Sequence, residues 1–328
     1  MRSFLQVLIF TLALAVAIEM CLRIMHFGTV AFSPAKMNSY TLIMNSDLVQ
    51  PAQNPDVYYE LKPNLDALFR GTVFTTNSNG LADKEYAHEK AADVFRVVVI
   101  GSSWTMATGV DVKDNYPSVI EELLKGQSQQ NVEVINFAVE YYGFGEIIAT
   151  LKDKALAYDP DMIIIASTSL TPLILWEDNK EAFTNAEETA PFSQSYLLSA
   201  AMGLVGKTAY KKRRRAKVAP NSGAYMRQVK RAMQEFKVIA DDKGIPGVFI
   251  WLTHEKINET MLTASENLAK KSSLKFISIN LESEATRKAV TEELILDMDT
   301  HPNETGHRLI AEKLYEELWS EETGTIKP

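Results

Sequence analysis

Cysteine is nearly absent: Cys21 is the only one in 328 residues. An intramolecular disulfide and a cysteine-based metal site are therefore both excluded. The single thiol leaves the compartment open, because a cytoplasmic chain and a periplasmic chain that avoids free thiols look alike by this measure. A surplus of positive charge is also missing, with 34 Lys and Arg against 42 Asp and Glu and a formal net charge of -8. That argues against a general nucleic-acid binder, which needs a basic face to neutralise phosphates. No internal repeat or low-complexity tract occurs. Histidine is scarce, with five residues, His26, His88, His254, His301 and His307, so few groups are available as a neutral-pH base. What is present, 46% hydrophobic and 23% charged residues, suits a soluble globular body of one large domain or two modest ones.

The N-terminus departs from that profile. Residues 3–18, SFLQVLIFTLALAVAI, carry only Ser3, Gln6 and Thr11 as polar side chains. Extended to Met25 the run reaches the roughly 20 residues that a membrane-spanning helix needs. Glu19 and Arg23 are four apart in the favourable acid-before-base order and can pair at the membrane interface. This favours an uncleaved anchor over the alternative, a signal peptide cleaved after the small-x-small pattern Ala15-Val16-Ala17. The residues before Cys21 do not form a lipobox. Flanking basic residues are nearly balanced, so orientation rests on the very short N-terminal tail, which places the bulk of the chain outside the cytoplasm.

Residues 26–79 have scattered Pro, Asn and Gly and read as an irregular lead-in, with short strands near 57–61 and 72–76. From there apolar, strand-like runs recur at 95–100, 132–137, 162–166, 247–252 and 275–279, alternating with helix-like segments. Helices are expected at 116–124, where Pro117 suits a first turn, and at 145–157, 225–243 and 305–319. Continuous apolar runs suit strands buried on both faces, and so a parallel sheet between two helical layers. Between residues 176 and 221 the period weakens, and Lys211-Lys212-Arg213-Arg214-Arg215 appears in what reads as an insertion. That run reads as a solvated loop or helix end, with contact to anionic lipid headgroups or an acidic glycan as the alternative.

Sheets of this kind carry their sites at the carboxyl ends of the strands. There the stretch 97–110, VVVIGSSWTMATGV, runs a buried strand into Gly101-Ser102-Ser103. A serine at this junction presents its hydroxyl at the sheet edge, with its own N–H and a helix dipole toward a developing oxyanion. The base it needs is offered by His301, which lies on the loop broken by Pro302 and Asn303, with Asp299 two residues before it. Ser103, His301 and Asp299 thus make a candidate hydrolase triad. Trp104 reads as a wall residue and His307 as a structural residue of the last helix.

These blocks resemble the SGNH (GDSL-type) hydrolase family, in particular bacterial members with an N-terminal membrane helix. The resemblance runs from the Glu-x-x-x-Arg end of the anchor through Thr76-Asn77-Ser78-Asn79-Gly80-Leu81, VVVIGSSWTMATGV, Val134-Ile135-Asn136-Phe137-Ala138-Val139 and Asp159-Pro160-Asp161 to Asp299-Thr300-His301-Pro302-Asn303. It implies a flavodoxin-like three-layer α/β/α fold with a parallel sheet, preceded by a transmembrane helix. It also implies ester hydrolysis or acyl transfer on carbohydrate or lipid, with no metal or cofactor. Ser103 matches the family's nucleophile, His301 its base and Asp299 its acid, with Asp297 as a substitute for the last.

Three positions depart from the family pattern. Ser102 stands where the Asp of Gly-Asp-Ser is usual. The oxyanion glycine falls near Tyr141, with Gly143 or Gly145 as the alternatives in a shifted register. The oxyanion asparagine is absent from Ala166-Ser167-Thr168-Ser169-Leu170-Thr171, where Ser169 or Thr171 offers a hydroxyl. Ser103, Tyr141 and Ser169 are accordingly the expected oxyanion hole. The chain divides into an anchor (1–25), a lead-in (26–79) and an SGNH-like domain (80–328) with the insertion at about 176–221.

Two functional readings stay open. One is an esterase or O-acyltransferase on an acylated envelope or exported polysaccharide, single-pass in a bacterial inner membrane with its bulk on the periplasmic or extracellular side. The other is a non-catalytic SGNH-like scaffold that binds a glycan or a membrane protein partner.

Overall fold

The computed structural model describes residues 2–126, 131–169, 171–174, 197, 222–254, 259–296, 301–320 and 325–326. It begins with helix α1 (Arg2–Phe27), in which Ser3–Met25 form a 23-residue stretch long and apolar enough to cross a membrane and not buried against the rest of the chain. Phe4, Val7, Phe10 and Leu12 all stand exposed along it. Near its end Arg23 Nε donates to Glu19 Oε1 at 2.6 Å, the pairing expected from the four-residue spacing.

A short helix, α2 (Pro34–Asn38), and two antiparallel strand pairs follow. β1 (Val49–Pro51) pairs with β2 (Tyr59–Leu61), and β3 (Asp66–Phe69) with β4 (Thr72–Thr75). The β3–β4 connection is the dipeptide Arg70-Gly71, both left-handed with φ of 51° and 84°, the two-residue geometry whose twist matches a hairpin. Ile43, Leu48, Tyr59, Leu61, Phe69 and Phe74 from this segment are buried and join the core on one face of the main sheet.

That sheet contains β5 (Val94–Ile100), β6 (Asn131–Asn136), β7 (Met162–Thr168), β8 (Gly247–Thr253) and β9 (Lys275–Asn280). All are parallel, in the spatial order β6-β5-β7-β8-β9. Side chains alternate between two cores. Val97 and Val99 face α4 (Tyr116–Lys125), α8 (Leu281–Lys288) and α9 (Glu304–Leu318). Val98 and Ile100 face α5 (Phe144–Asp153), α6 (Ser222–Lys243) and α7 (Glu259–Lys271). The result is a three-layer α/β/α sandwich, and burial on both faces explains why the strands read as unbroken apolar runs. Val98, Val99 and Ile100 have no exposed surface, so each contributes about 1.5–3 kcal/mol by burial.

All five main strands lie where the apolar runs place them. Helix α7 fills the helix-like interval between the last two apolar runs, α8 occupies an interval with no helical expectation, and the 145–157 interval is α5 followed by a 3-10 turn (Ala155–Tyr158). The basic run at 211–215 lies outside the described residues, as does the insertion apart from Leu197.

As an edge strand, β6 turns backbone groups outward, and side chains close them. Glu121 Oε2 accepts from Val134 N–H and Asp83 Oδ2 from Asn136 N–H, both at 2.8 Å, while Tyr86 donates to the Val134 carbonyl at 2.9 Å. Such capping blocks further strand addition along this edge. Burial raises the Asp83 carboxyl to about 7, against the lowering effect of its backbone donors.

Candidate active site

The chain leaves β5 toward β6 on one side and returns to β7 on the other, so the carboxyl end of β5 is the topological switch point where an open parallel sheet forms its crevice. Gly101 makes that turn possible. A Cβ there would stand 2.5 Å from Thr105 Oγ1 and 3.0 Å from Ala166 Cβ, so only glycine lets the turn pack this closely on β7. Ser102 is extended and buried, and its carbonyl accepts from Thr105 N–H at 2.9 Å and Met106 N–H at 3.1 Å. Ser103, half-buried, opens helix α3 (Ser103–Met106). This helix lasts one turn and ends at Ala107 with φ 73°. The macrodipole expected behind Ser103 therefore shrinks to its local peptide N–H groups. Trp104 is buried among Tyr116 and Ile120, and its ring lies 5.7 Å from that of His254 at the end of β8.

The turn after β6 is joined to the turn that carries Ser103 through Asn136. Its amide Nδ2 donates to Thr105 O at 2.6 Å, and its Oδ1 accepts from Ala138 N–H at 3.0 Å. Val139 N–H reaches Gly101 O at 3.4 Å. Tyr141 is left-handed, with φ 65°. That is the conformation a glycine takes most readily, at the position where the family resemblance expects one. Of the two alternatives, Gly143 is extended (φ -87°) and Gly145 lies inside α5.

Beside Tyr141, the Glu140 side chain is 2% exposed and its Oε1 accepts from Arg70 Nη2 at 3.3 Å. The Glu140 carbonyl accepts from the Tyr59 hydroxyl at 2.6 Å. Burial holds that hydroxyl far above its ordinary pKa, so it remains a donor.

At the end of β7, Ser169 is exposed, while Thr171 is buried and turned back into its own loop. The Thr171 hydroxyl accepts from Thr168 N–H at 3.0 Å and lies 3.3 Å from Thr168 Oγ1. Of the two hydroxyls read as asparagine substitutes, Ser169 is the one left at the surface. Leu170 lies outside the described residues.

His301 is buried, in a loop closed by Leu296 N–H to His301 O at 3.0 Å and Asn303 N–H to Leu294 O at 2.9 Å. Asn303 also caps α9, accepting from Gly306 N–H at 3.0 Å. The base of the loop packs on the chain that follows Ser103: a Cβ on Gly109 (φ 82°) would stand 2.3 Å from Leu296 Cδ1 and 3.7 Å from Arg70 Cβ. A second link runs from Thr105 Oγ1 to Tyr116 Oη at 2.9 Å, and from Tyr116 N–H to His307 Nδ1 at 3.2 Å. His307 is fully buried, and burial with the neighbouring His301 pushes it down to about 3, so it is neutral. Asp299 and its substitute Asp297 lie outside the described residues.

Arg70, Glu140, Tyr59 and Asn136 are the residues around this crevice that sequence reading missed. Only the Arg70-Gly71 dipeptide between two short strands carries a local signal, that of a hairpin turn. A groove of about 490 Å³ lies between β4 and α4 and includes Asp83 and Glu121. Those carboxylates already hold the β6 edge and Tyr86, so they are committed to structure.

No protein-family model matches the sequence, and no curated protein matches it. Solved structures similar to this chain include a protein of the G-D-S-L family from Desulfitobacterium hafniense DCB-2, at 15% identity over 67% of this chain and 98% of that one, TM-score 0.40. A catalytic mutant of an acetylxylan esterase from Geobacillus stearothermophilus is 12% identical over 68% and 93%, TM-score 0.44. A two-domain esterase active on acetylated mannans is 14% identical over 72% of this chain and 51% of that one, TM-score 0.46.

Proposed function

We propose that this protein is a serine esterase or O-acyltransferase of the SGNH (GDSL) type, anchored in a bacterial inner membrane by residues 3–25. It acts outside the cytoplasm on an acylated envelope or exported polysaccharide. The reading is carried by Ser103 at the switch point of the sheet, with the left-handed Tyr141 turn beside it and Leu296, at the base of the His301 loop, packed on Gly109. The exposed apolar α1 supports the membrane attachment.

In this reaction Ser103 Oγ attacks the ester carbonyl and gives its proton to His301. Asp299 orients the imidazole through its second nitrogen. The carbonyl oxygen becomes an oxyanion facing the N–H groups of Ser103 and Tyr141 and the Ser169 hydroxyl. Collapse expels the sugar hydroxyl, which takes the proton from His301 and leaves an acyl-serine. Water, or a second sugar hydroxyl in the transferase, then attacks that ester, with His301 accepting its proton and returning it to Ser103.

The test is acyl release from an acetylated polysaccharide by the full-length protein in detergent, wild type against Ser103→Ala. The expected result is a loss of about 10³-fold or more. Added acceptor sugar that gains the acyl group identifies the transferase. A wild type that releases no more acyl group than Ser103→Ala would instead support a non-catalytic scaffold, for which Ser102 and the missing amide at the β7 turn speak.

A further inference from the structure

Tyr141 raises a question of cost. A bulky residue with φ 65° occupies a region that side chains other than glycine, Asn and Asp seldom enter, so the surroundings must hold it there. Its two neighbours are tied at every level. Glu140 N–H donates to Met106 Sδ at 3.1 Å, its carbonyl accepts from Tyr59 Oη at 2.6 Å, and its carboxylate accepts from Arg70 at 3.3 Å. Tyr142 N–H closes the turn on Val139 O at 3.2 Å, and its hydroxyl donates to Tyr59 O at 2.6 Å. Tyr59 and Arg70 belong to the two hairpins ahead of the sheet. Arg70 is itself fixed by backbone: its N–H donates to Ser39 O at 3.0 Å, and Gly71 N–H donates to Ser39 Oγ at 2.9 Å.

An ion pair this deep gives little stability over an apolar pair of the same volume, because both charges lose hydration. Geometry is what it does supply. Arg70 lies where the Tyr141 turn, the Gly109 loop and the His301 loop meet.

We propose that Arg70, Glu140 and Tyr59 form a positioning clamp, built by the segment ahead of the sheet, that holds the backbone of Tyr141 left-handed and so sets one oxyanion donor. The clamp rests on the esterase reading given above. Its members touch no substrate. They act through residue 141, which glycine would allow to adopt the same conformation unaided.

The experiment is a double-mutant cycle on the full-length protein in detergent, with Arg70→Met, Tyr141→Gly and the double variant. The readouts are the rate of fluorophosphonate labelling at Ser103, kcat and KM on an aryl acetate, and amide exchange across residues 138–144. Arg70→Met should slow labelling about 10- to 100-fold, below the 10²–10³ of a wholly lost donor. kcat should fall with KM within about twofold, and exchange should rise in the 138–144 peptide. In the Tyr141→Gly background the same Arg70→Met change should cost no more than about threefold. Glu140→Gln, which keeps an acceptor for Arg70 but removes the charge, should reproduce the effect more weakly and serves if Arg70→Met does not fold.

Wild-type labelling rates in a folded Arg70→Met protein would overturn the clamp. So would an undiminished penalty in the Tyr141→Gly background, since the loss would then not run through residue 141. If the wild type itself does not label, the esterase reading fails, and amide exchange alone judges the clamp. Unchanged exchange in Arg70→Met refutes it, and increased exchange supports it.

Discussion

The turns leaving β6 and β7 follow the two strands on either side of β5, the strand that leads to Ser103, and they are shaped in opposite ways. The β6 turn takes its form from distant chain: Tyr59, Arg70 and Met106 bind Glu140, and Asn136 ties the turn to Thr105. The β7 turn closes on itself through Thr168 and Thr171, leaving Ser169 exposed. A backbone donor must be aimed by the fold around it, whereas a hydroxyl can rotate to its acceptor. In the proposed esterase, the difference would make the β6 side the rigid donor and the β7 side the adaptable one.

The largest effect lies outside both turns. His301→Asn should lower kcat/KM by about 10²–10⁴ because the proton acceptor is gone whichever turn holds the oxyanion. Steady-state hydrolysis of an aryl acetate checks this, and a loss below tenfold would remove His301 from the role of base. Ser169→Ala should cost about 10²–10³ in kcat if its hydroxyl completes the hole. A Ser169→Ala enzyme within twofold of wild type would leave the β6 side as the sole contributor of the pair.

The smallest effect separates structure from chemistry at the two neighbouring histidines. His307 stays neutral in the fold down to about pH 3 but titrates near 6.5 once unfolded. The unfolded chain thus binds the extra proton in between, and the stability held above pH 6.5 is lost as pH falls toward 3. His307→Gln should flatten that loss in urea midpoints taken between pH 7 and 4. A midpoint profile parallel to wild type would contradict the burial argument. Asp83, raised to about 7 from 3.8, acts in the other direction, its contribution falling as pH rises from about 4 to 7.

Much of this architecture was legible in the chain. The five parallel strands announce themselves because burial on both faces demands unbroken apolar runs. The turn after β5 is readable from a strand ending in Gly101-Ser102-Ser103, and the His301 loop from Pro302 and Asn303, the latter now seen capping α9. The clamp left no such trace. Arg70 and Glu140 are 70 residues apart and Tyr59 and Glu140 are 81 apart. A pairing across that distance imposes no period on the sequence. Strands of three or four residues, such as β2 and β3, are also too short to show one. Helix α8 is hidden for a different reason, since Leu281, Glu284 and Ala285 are its only buried residues in a mostly polar eight-residue stretch.

The most direct test of the central claim is fluorophosphonate labelling of the intact protein, with the modified residue located by peptide mass spectrometry. A single adduct is expected on the peptide carrying Ser103, absent from Ser103→Ala and strongly slowed by His301→Asn. An unlabelled protein, under conditions that fully label an active control esterase, would contradict it.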